Sequence, residues 1–313
     1  MSTRLNLPGP IPRRPLGSTG EQVSIIGLGG WHMGHNGLTE EESTRLVRTA
    51  LDHGINFLDN AWDYNYGQSE RRMGAALQDG YRAQAFLMTK CCTHGRGKRV
   101  AMELLEEQLR WLKTDYLDLW QIHEVVFDNE SEQAYATEGV IEALVEAREQ
   151  GKVRYVGFTG HKSPWHHLEM VRRGFQFDTA MMPLNVMDFH FRSFEREVVP
   201  ALVERGIGVI GMKSMGGGRI VESGAITPEE AIRYTVSIPG LSTLVSGMDN
   251  LEHLQQNASA ACRPMDEAER AALQERVRPV AVDGRLELYK IGIQFEGWAT
   301  REQHGLPPLG TPC

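Results

Sequence analysis

From about residue 23 to about residue 257, short runs rich in β-branched and aromatic residues alternate with longer segments of helical period. The strand runs are VSIIGLG from Val23, NFLD from Asn56, FLMTK from Phe86, YLDLWQIH from Tyr116, VRYVGFTG from Val153, TAMMPLN from Thr179, GVIGMKS from Gly208 and TLVSG from Thr243. Between them, residues 41–53, 99–112, 139–150, 194–205 and 228–237 carry apolar residues at helical spacing. Such alternation signals repeated βα units and a parallel sheet. Eight strands, each followed by a helix, predict an α/β fold closed as a (β/α)8 TIM barrel, since open doubly wound sheets usually stop at five to seven.

Residues 13–16 and 21–26 flank the turn GSTG, which predicts an N-terminal β-hairpin placed to plug the barrel floor. Past the barrel core, a C-terminal extension of about 264–313 begins with a helical pattern over 266–278. It continues as a tail to Cys313 holding Tyr289, Phe295 and Trp298. Two readings of that tail stand open, a cover over the barrel mouth and a surface extension or oligomer contact. The 313 residues are expected to form one domain.

Composition narrows the partners. With 41% hydrophobic and 24% charged residues the chain can bury a sizeable core. A net charge of −8 argues against nucleic acid and anionic membranes, leaving small molecules. Arg4, Arg13 and Arg14 precede no apolar run of a secretory leader, and no apolar stretch has the ~20 residues that span a bilayer. The four cysteines, with Cys91 and Cys92 adjacent, make neither a disulfide framework nor a metal-ligand spacing. A cytoplasmic location is expected, and no metal.

In such barrels reacting groups sit at the C-terminal ends of strands. The second strand run ends at Asp59, with Tyr64 five residues on; the third ends at Lys90 and the fourth at His123. Singly, each has a plain structural explanation: a capping Asp, a snorkelling Lys, a satisfied His. Together they converge, because neighbouring strand ends lie about 5 Å apart and face one mouth.

The run GINFLDNAWDYNYGQSE (54–70), with FLMTK and LWQIH, resembles the aldo-keto reductase superfamily. The similarity extends from RRPLGSTGEQVSIIGLGGW to the helix ending at Asn257. The resemblance implies a catalytic set of Asp59, Tyr64, Lys90 and His123. It also implies an NAD(P)(H)-dependent oxidoreductase that interconverts a carbonyl compound and an alcohol by hydride transfer, with Tyr64 as general acid and base. Chemistry suits those roles. A free phenol, with a pKa of about 10, is a weak acid at neutral pH, and an adjacent Lys90 ammonium is expected to lower it while Asp59 holds Lys90. His123 is expected to donate a second hydrogen bond that orients the carbonyl.

Trp31, in GLGGWHMG, resembles the tryptophan lining the family's substrate pocket, and Trp62 is a second aromatic for that pocket beside Tyr64 and His123. Rim packing is the alternative for both tryptophans. Gly27, Gly29 and Gly30 do not make a dinucleotide fingerprint, because His32 stands three residues after Gly29. The resemblance instead places cofactor contacts at Gly30, Trp31 and Asp59, at Thr159 and Gly160 in FTGHKS, and at Met181. Further contacts fall at Met212, Lys213, Ser214, Gly216 and Gly218 in GMKSMGGG, and at Gly247, His253, Gln256 and Asn257 in SGMDNLEHLQQN. Thr159 and Gly160 replace a common Ser-Asn pair, Met181 a Gln, and Met212 an aromatic. Gly216, Gly217 and Gly218 suit either close approach of N–H groups to a pyrophosphate or a surface loop.

The Lys and Arg that clamp the 2′-phosphate in NADP-selective relatives align with Gly247 and His253, so weak discrimination between NADP(H) and NAD(H) is expected, with Lys213 and Arg219 as other cations in reach. Two other functions fit the sequence. One is a cofactor-binding regulatory subunit with slow turnover; the other is a hydrolase using Asp59 and Asp63, for which metal ligands are short.

Overall fold

A computed structural model describes residues 5–35, 37–92 and 96–292. Strands β1 (Arg13–Pro15) and β2 (Gln22–Ser24) pair antiparallel. Strands β3 (Ile26–Gly29), β4 (Phe57–Asp59), β5 (Phe86–Cys91), β6 (Leu117–Ile122), β7 (Val153–Thr159), β8 (Thr179–Pro183), β9 (Gly208–Met212) and β10 (Leu241–Gly247) are parallel. They close into an eight-stranded barrel in which β10 pairs with both β9 and β3. Every residue of β5 and β6 is buried, which is why these strands read as unbroken runs rather than as alternation.

The first strand run divides differently from the expectation. Val23 and Ser24 belong to the hairpin, and the barrel strand begins at Ile26. Between them the Ile25 N–H donates to Pro12 O at 2.8 Å, and the Ser24 hydroxyl donates to Ile26 O at 2.7 Å. Hairpin and barrel residues are both buried here, so hydropathy does not mark the bend. The last strand starts at Leu241, two residues before the expected Thr243.

The hairpin does plug the floor. Leu16 and Val23, fully buried, pack in one interior cluster with Phe57, Phe86, Met88, Leu119, Met181, Ile210 and Val245. Burying a side chain such as Leu16 contributes about 1.5–3 kcal/mol. Gly17 makes the approach possible, since its φ is +53° and a Cβ there would overlap the Gly206 carbonyl and the Gly208 nitrogen.

Outer helices start on reciprocal caps. Thr39 with Glu42 opens Glu40–Asp52, Thr227 with Glu230 opens Pro228–Val236, and Asp266 with Glu269 opens Glu267–Ala281. Beyond the last of these the chain returns to the mouth through the short helix Leu288–Ile291. Lys290 is fully buried there, its Nζ 2.6 Å from Asp188 Oδ1, 2.8 Å from Phe191 O and 3.1 Å from Glu287 Oε2. The tail therefore packs on the loop after β8 as far as Ile291, while Phe295, Trp298 and Cys313 lie outside the described residues. Among the described residues, no helix is long and apolar enough to cross a membrane.

Candidate active site

Three predicted residues meet at one ammonium. Lys90 Nζ donates to Asp59 Oδ1 at 2.6 Å, to Asn60 O at 2.6 Å and to Tyr64 Oη at 3.2 Å. These three bonds use all its protons. The Lys90 and Asp59 side chains are 1% and 4% exposed. Burial pushes the Asp59 carboxyl above its usual range, and Lys90 opposes that push. Since the Tyr64 oxygen accepts from Lys90, its own O–H is left to point elsewhere.

The loop after β4 is held in an unusual backbone. Asn65, Tyr66 and Gly67 all adopt positive φ, at 51°, 56° and 76°. For the two non-glycine residues this costs roughly 1–2 kcal/mol each. Asn65 offsets part of it, because its Nδ2 donates to Trp31 O at 2.6 Å and to Ser69 Oγ at 3.0 Å. That bond sets half-exposed Trp31 edge-on to Tyr64, with centroids 5.3 Å apart. Trp62 goes the other way. It is buried, its indole N–H donates to Glu107 Oε2 at 2.8 Å, and it stacks on Trp111, so packing rather than the pocket uses this ring.

The electrostatics of Tyr64 correct the expectation of a lowered pKa. Burial, followed by the carboxylates of Asp59, Asp63 and Glu124, holds the phenol well above its usual value. Lys90 does not reverse this because Asp59 neutralises it at 2.6 Å. The proton therefore stays on Tyr64 through the neutral range.

His123 stands edge-on to Tyr64 at 6.0 Å between centroids, and its Nδ1 is 3.2 Å from Asp63 Oδ1. Next to it, Glu124 Oε2 lies 2.6 Å from His161 Nε2, both buried. Burial would raise Glu124, but His161, His123 and Lys213 together bring it down to about 2. Sequence reasoning missed the Glu124–His161 pair and the role of Asp63 beside His123. Their signal was position: Glu124 follows His123 at a strand end, and His161 falls in FTGHKS at another.

The model of the aldo/keto reductase family matches residues 25–227. The chain belongs to the aldo/keto reductase family. Aldo-keto reductase YhdN of Bacillus subtilis is 32% identical over 198 residues, which cover 58% of this chain and 54% of YhdN. An aldo-keto reductase of Bacillus halodurans, in its holo form, superposes with a TM-score of 0.74 at 23% identity, covering 88% of this chain and 99% of that one. One from Klebsiella pneumoniae in complex with NADP and acetate gives 0.69 at 23%, covering 84% and 94%. At these identities the superpositions establish the fold.

Within this family member, the positions expected to hold cofactor differ in availability. Gly30 is buried against the end of β4, where a Cβ would overlap the Asp59 carbonyl. Thr159 and Met181 are buried, and Met212 is half-buried. Gly160 cannot carry the common Asn, because a Cβ there would overlap Val125 O and lie 3.0 Å from His167 Cε1. Lys213 is half-buried in a left-handed conformation at φ 56°, with Nζ 5.6 Å from the centre of the Tyr289 ring. Burial pulls its pKa down and Glu124 opposes that. Ser214 is buried beside it.

The glycine turn is held by bonds of its own backbone. The Gly216 and Gly218 N–H groups donate to Lys213 O and Met215 O, so the loop's own turns occupy them. A Cβ on Gly216 would overlap the Ile220 side chain at 2.6 Å and lie 3.0 Å from Leu286 O, so the close approach serves packing on Ile220 first. At the far end, Gly247 lies against His32, Asn257 Nδ2 donates to Ser246 Oγ at 3.1 Å, and Gln256 is exposed and bonds to Glu252. His253 Nδ1 is 2.6 Å from Asp249 Oδ1 on the surface. A nicotinamide dinucleotide fits the polar groups at the mouth, where the Tyr64 phenol and the His123 imidazole converge, and His32 Nδ1 is a buried polar atom without a partner at the opposite end. Among the described residues no group of three or more His, Cys, Asp or Glu is placed to hold a metal.

Proposed function

We propose that this chain is a cytoplasmic, single-domain, NAD(P)(H)-dependent reductase of small aldehydes or ketones, working also in reverse on the alcohols, with Tyr64 as the general acid and base. The observation that carries this reading is the ammonium of Lys90 donating to Asp59, Asn60 and the Tyr64 oxygen at once. When bound, the nicotinamide supplies the redox step, a hydride exchanged with the substrate carbon. The chain's own residues handle the oxygen. Lys90 fixes the Tyr64 oxygen as an acceptor, which frees the phenol proton for the substrate oxygen. The raised pKa of Tyr64 keeps that proton available, the state that reduction requires. Trp31 forms an aromatic wall beside Tyr64, and His123 supplies the second polar contact. Lys213, Ser214 and Asn257 are the nearest candidates to hold the dinucleotide.

The test mixes purified protein with NADPH or NADH and a panel of aldehydes and ketones, and follows nicotinamide absorbance. Turnover dependent on Tyr64 supports the reading. Cofactor binding without turnover across the panel sinks it in favour of a regulatory subunit.

A further inference from the structure

We propose that Asp63 is a positioning residue that fixes the proton of His123 on Nδ1, so that the ring meets a carbonyl oxygen as imidazolium and an alcohol hydroxyl as neutral acceptor. This rests on the carbonyl–alcohol reading of the site. Asp63 Oδ1 lies 3.2 Å from His123 Nδ1, with the side chains 13% and 11% exposed. An ionised carboxylate only accepts hydrogen bonds, so Nδ1 carries the hydrogen. In the neutral ring Nε2 then has a bare lone pair. Facing a carbonyl oxygen, that lone pair meets another, and neither atom is satisfied. Protonation places a donor on Nε2 while Asp63 keeps Nδ1. An alcohol O–H, by contrast, donates to the bare Nε2 directly.

Charged groups from several elements surround the ring. Asp59 from β4, Asp63 from its following loop and Glu124 at its side place negative charge around it. Arg96, whose Nη1 donates to the His123 carbonyl at 2.8 Å, brings positive charge, and Lys90 on β5 and Lys213 after β9 are further cations of the mouth. Tyr64, edge-on and protonated, adds no charge. The loop that carries Tyr64 thus also carries the group that decides what His123 offers the substrate.

Two variants separate tautomer from charge. Asp63→Asn keeps an oxygen able to accept from Nδ1–H but loses the negative charge. Asp63→Leu releases the ring to place its hydrogen on Nε2. Nitrogen NMR of His123 in the full-length, cofactor-free protein reads the tautomer directly. The expected result is Nδ1–H in wild type and Asp63→Asn, and Nε2–H in Asp63→Leu. The wild-type kcat/KM for reduction is expected to fall as pH rises, and that for oxidation to rise, with the falling limb lost in Asp63→Leu. Nε2–H in the wild type, or the same falling limb in Asp63→Leu, overturns the proposal. Absence of turnover with every carbonyl instead removes the proposed function, while the NMR still decides the tautomer.

Discussion

Lys90 Nζ stands 2.6 Å from Asp59 Oδ1 with both side chains buried, and the pair ties the end of β5 to the end of β4. Removing one partner of such a pair leaves an uncompensated buried charge, which typically costs about 3–5 kcal/mol. Lys90→Met is therefore expected to lower the urea midpoint, and adding Asp59→Asn is expected to recover part of the loss. Midpoints for the two single variants and the double variant close the cycle. Independent, additive effects would remove the pair from the account.

Tyr64→Phe keeps the ring that packs against Trp31 and His123 but removes the hydroxyl that accepts from Lys90. Turnover is expected to fall by about 10²–10⁴-fold, the usual worth of a general acid, while the Kd of the cofactor stays near wild type. Single-turnover kinetics with a titration of cofactor fluorescence measures both. Full activity would exclude Tyr64 as the acid.

The residues expected at the adenosine end bear on cofactor choice. His253 is paired with Asp249, and a Cβ at Gly247 would overlap the His32 ring, so Gly247→Lys disturbs the site that it is meant to charge. Asp249→Asn with His253→Arg is the cleaner variant. Wild type is expected to discriminate between NADPH and NADH by less than about 10³-fold, the equivalent of two lost charge-assisted bonds at ~2 kcal/mol each. The double variant is expected to shift the Kd ratio toward NADPH. A strong NADPH preference in wild type that the variant leaves unchanged would place the phosphate on another group.

Behind the site, Glu70 is fully buried, its Oε1 accepting from Thr89 Oγ1 at 2.5 Å and Gln108 Nε2 at 2.8 Å. Burial raises its pKa from 4.5 to about 7, only partly opposed by those two bonds. The folded state thus binds the proton more tightly than the unfolded chain. Stability from this group is complete below about pH 4.5 and is lost as pH rises through 7, by about 3 kcal/mol at most. Glu70→Gln is expected to remove the loss and to exceed wild type in stability at pH 8 while matching it near pH 4.5. Parallel pH dependence of the two proteins in urea unfolding would contradict this.

The strand runs and their terminal Asp59, Lys90 and His123 were legible in the chain, because strands buried on both faces read as apolar runs and an ionisable residue closing such a run stands out. Thr39–Glu42 and the other capping boxes were equally local. Asp63 with His123 spans 60 residues, and Lys290 with Asp188 spans 102. Pairings of that length depend on which strand ends closure makes neighbours, and on how a loop turns its side chains. The left-handed backbone of Asn65 and Tyr66 determines where Trp31 meets Tyr64, and no periodicity reports it. Charge shows the same division. Residue types alone put an ammonium near a phenol, but three carboxylates and burial, distributed over separate elements, decided that the phenol keeps its proton.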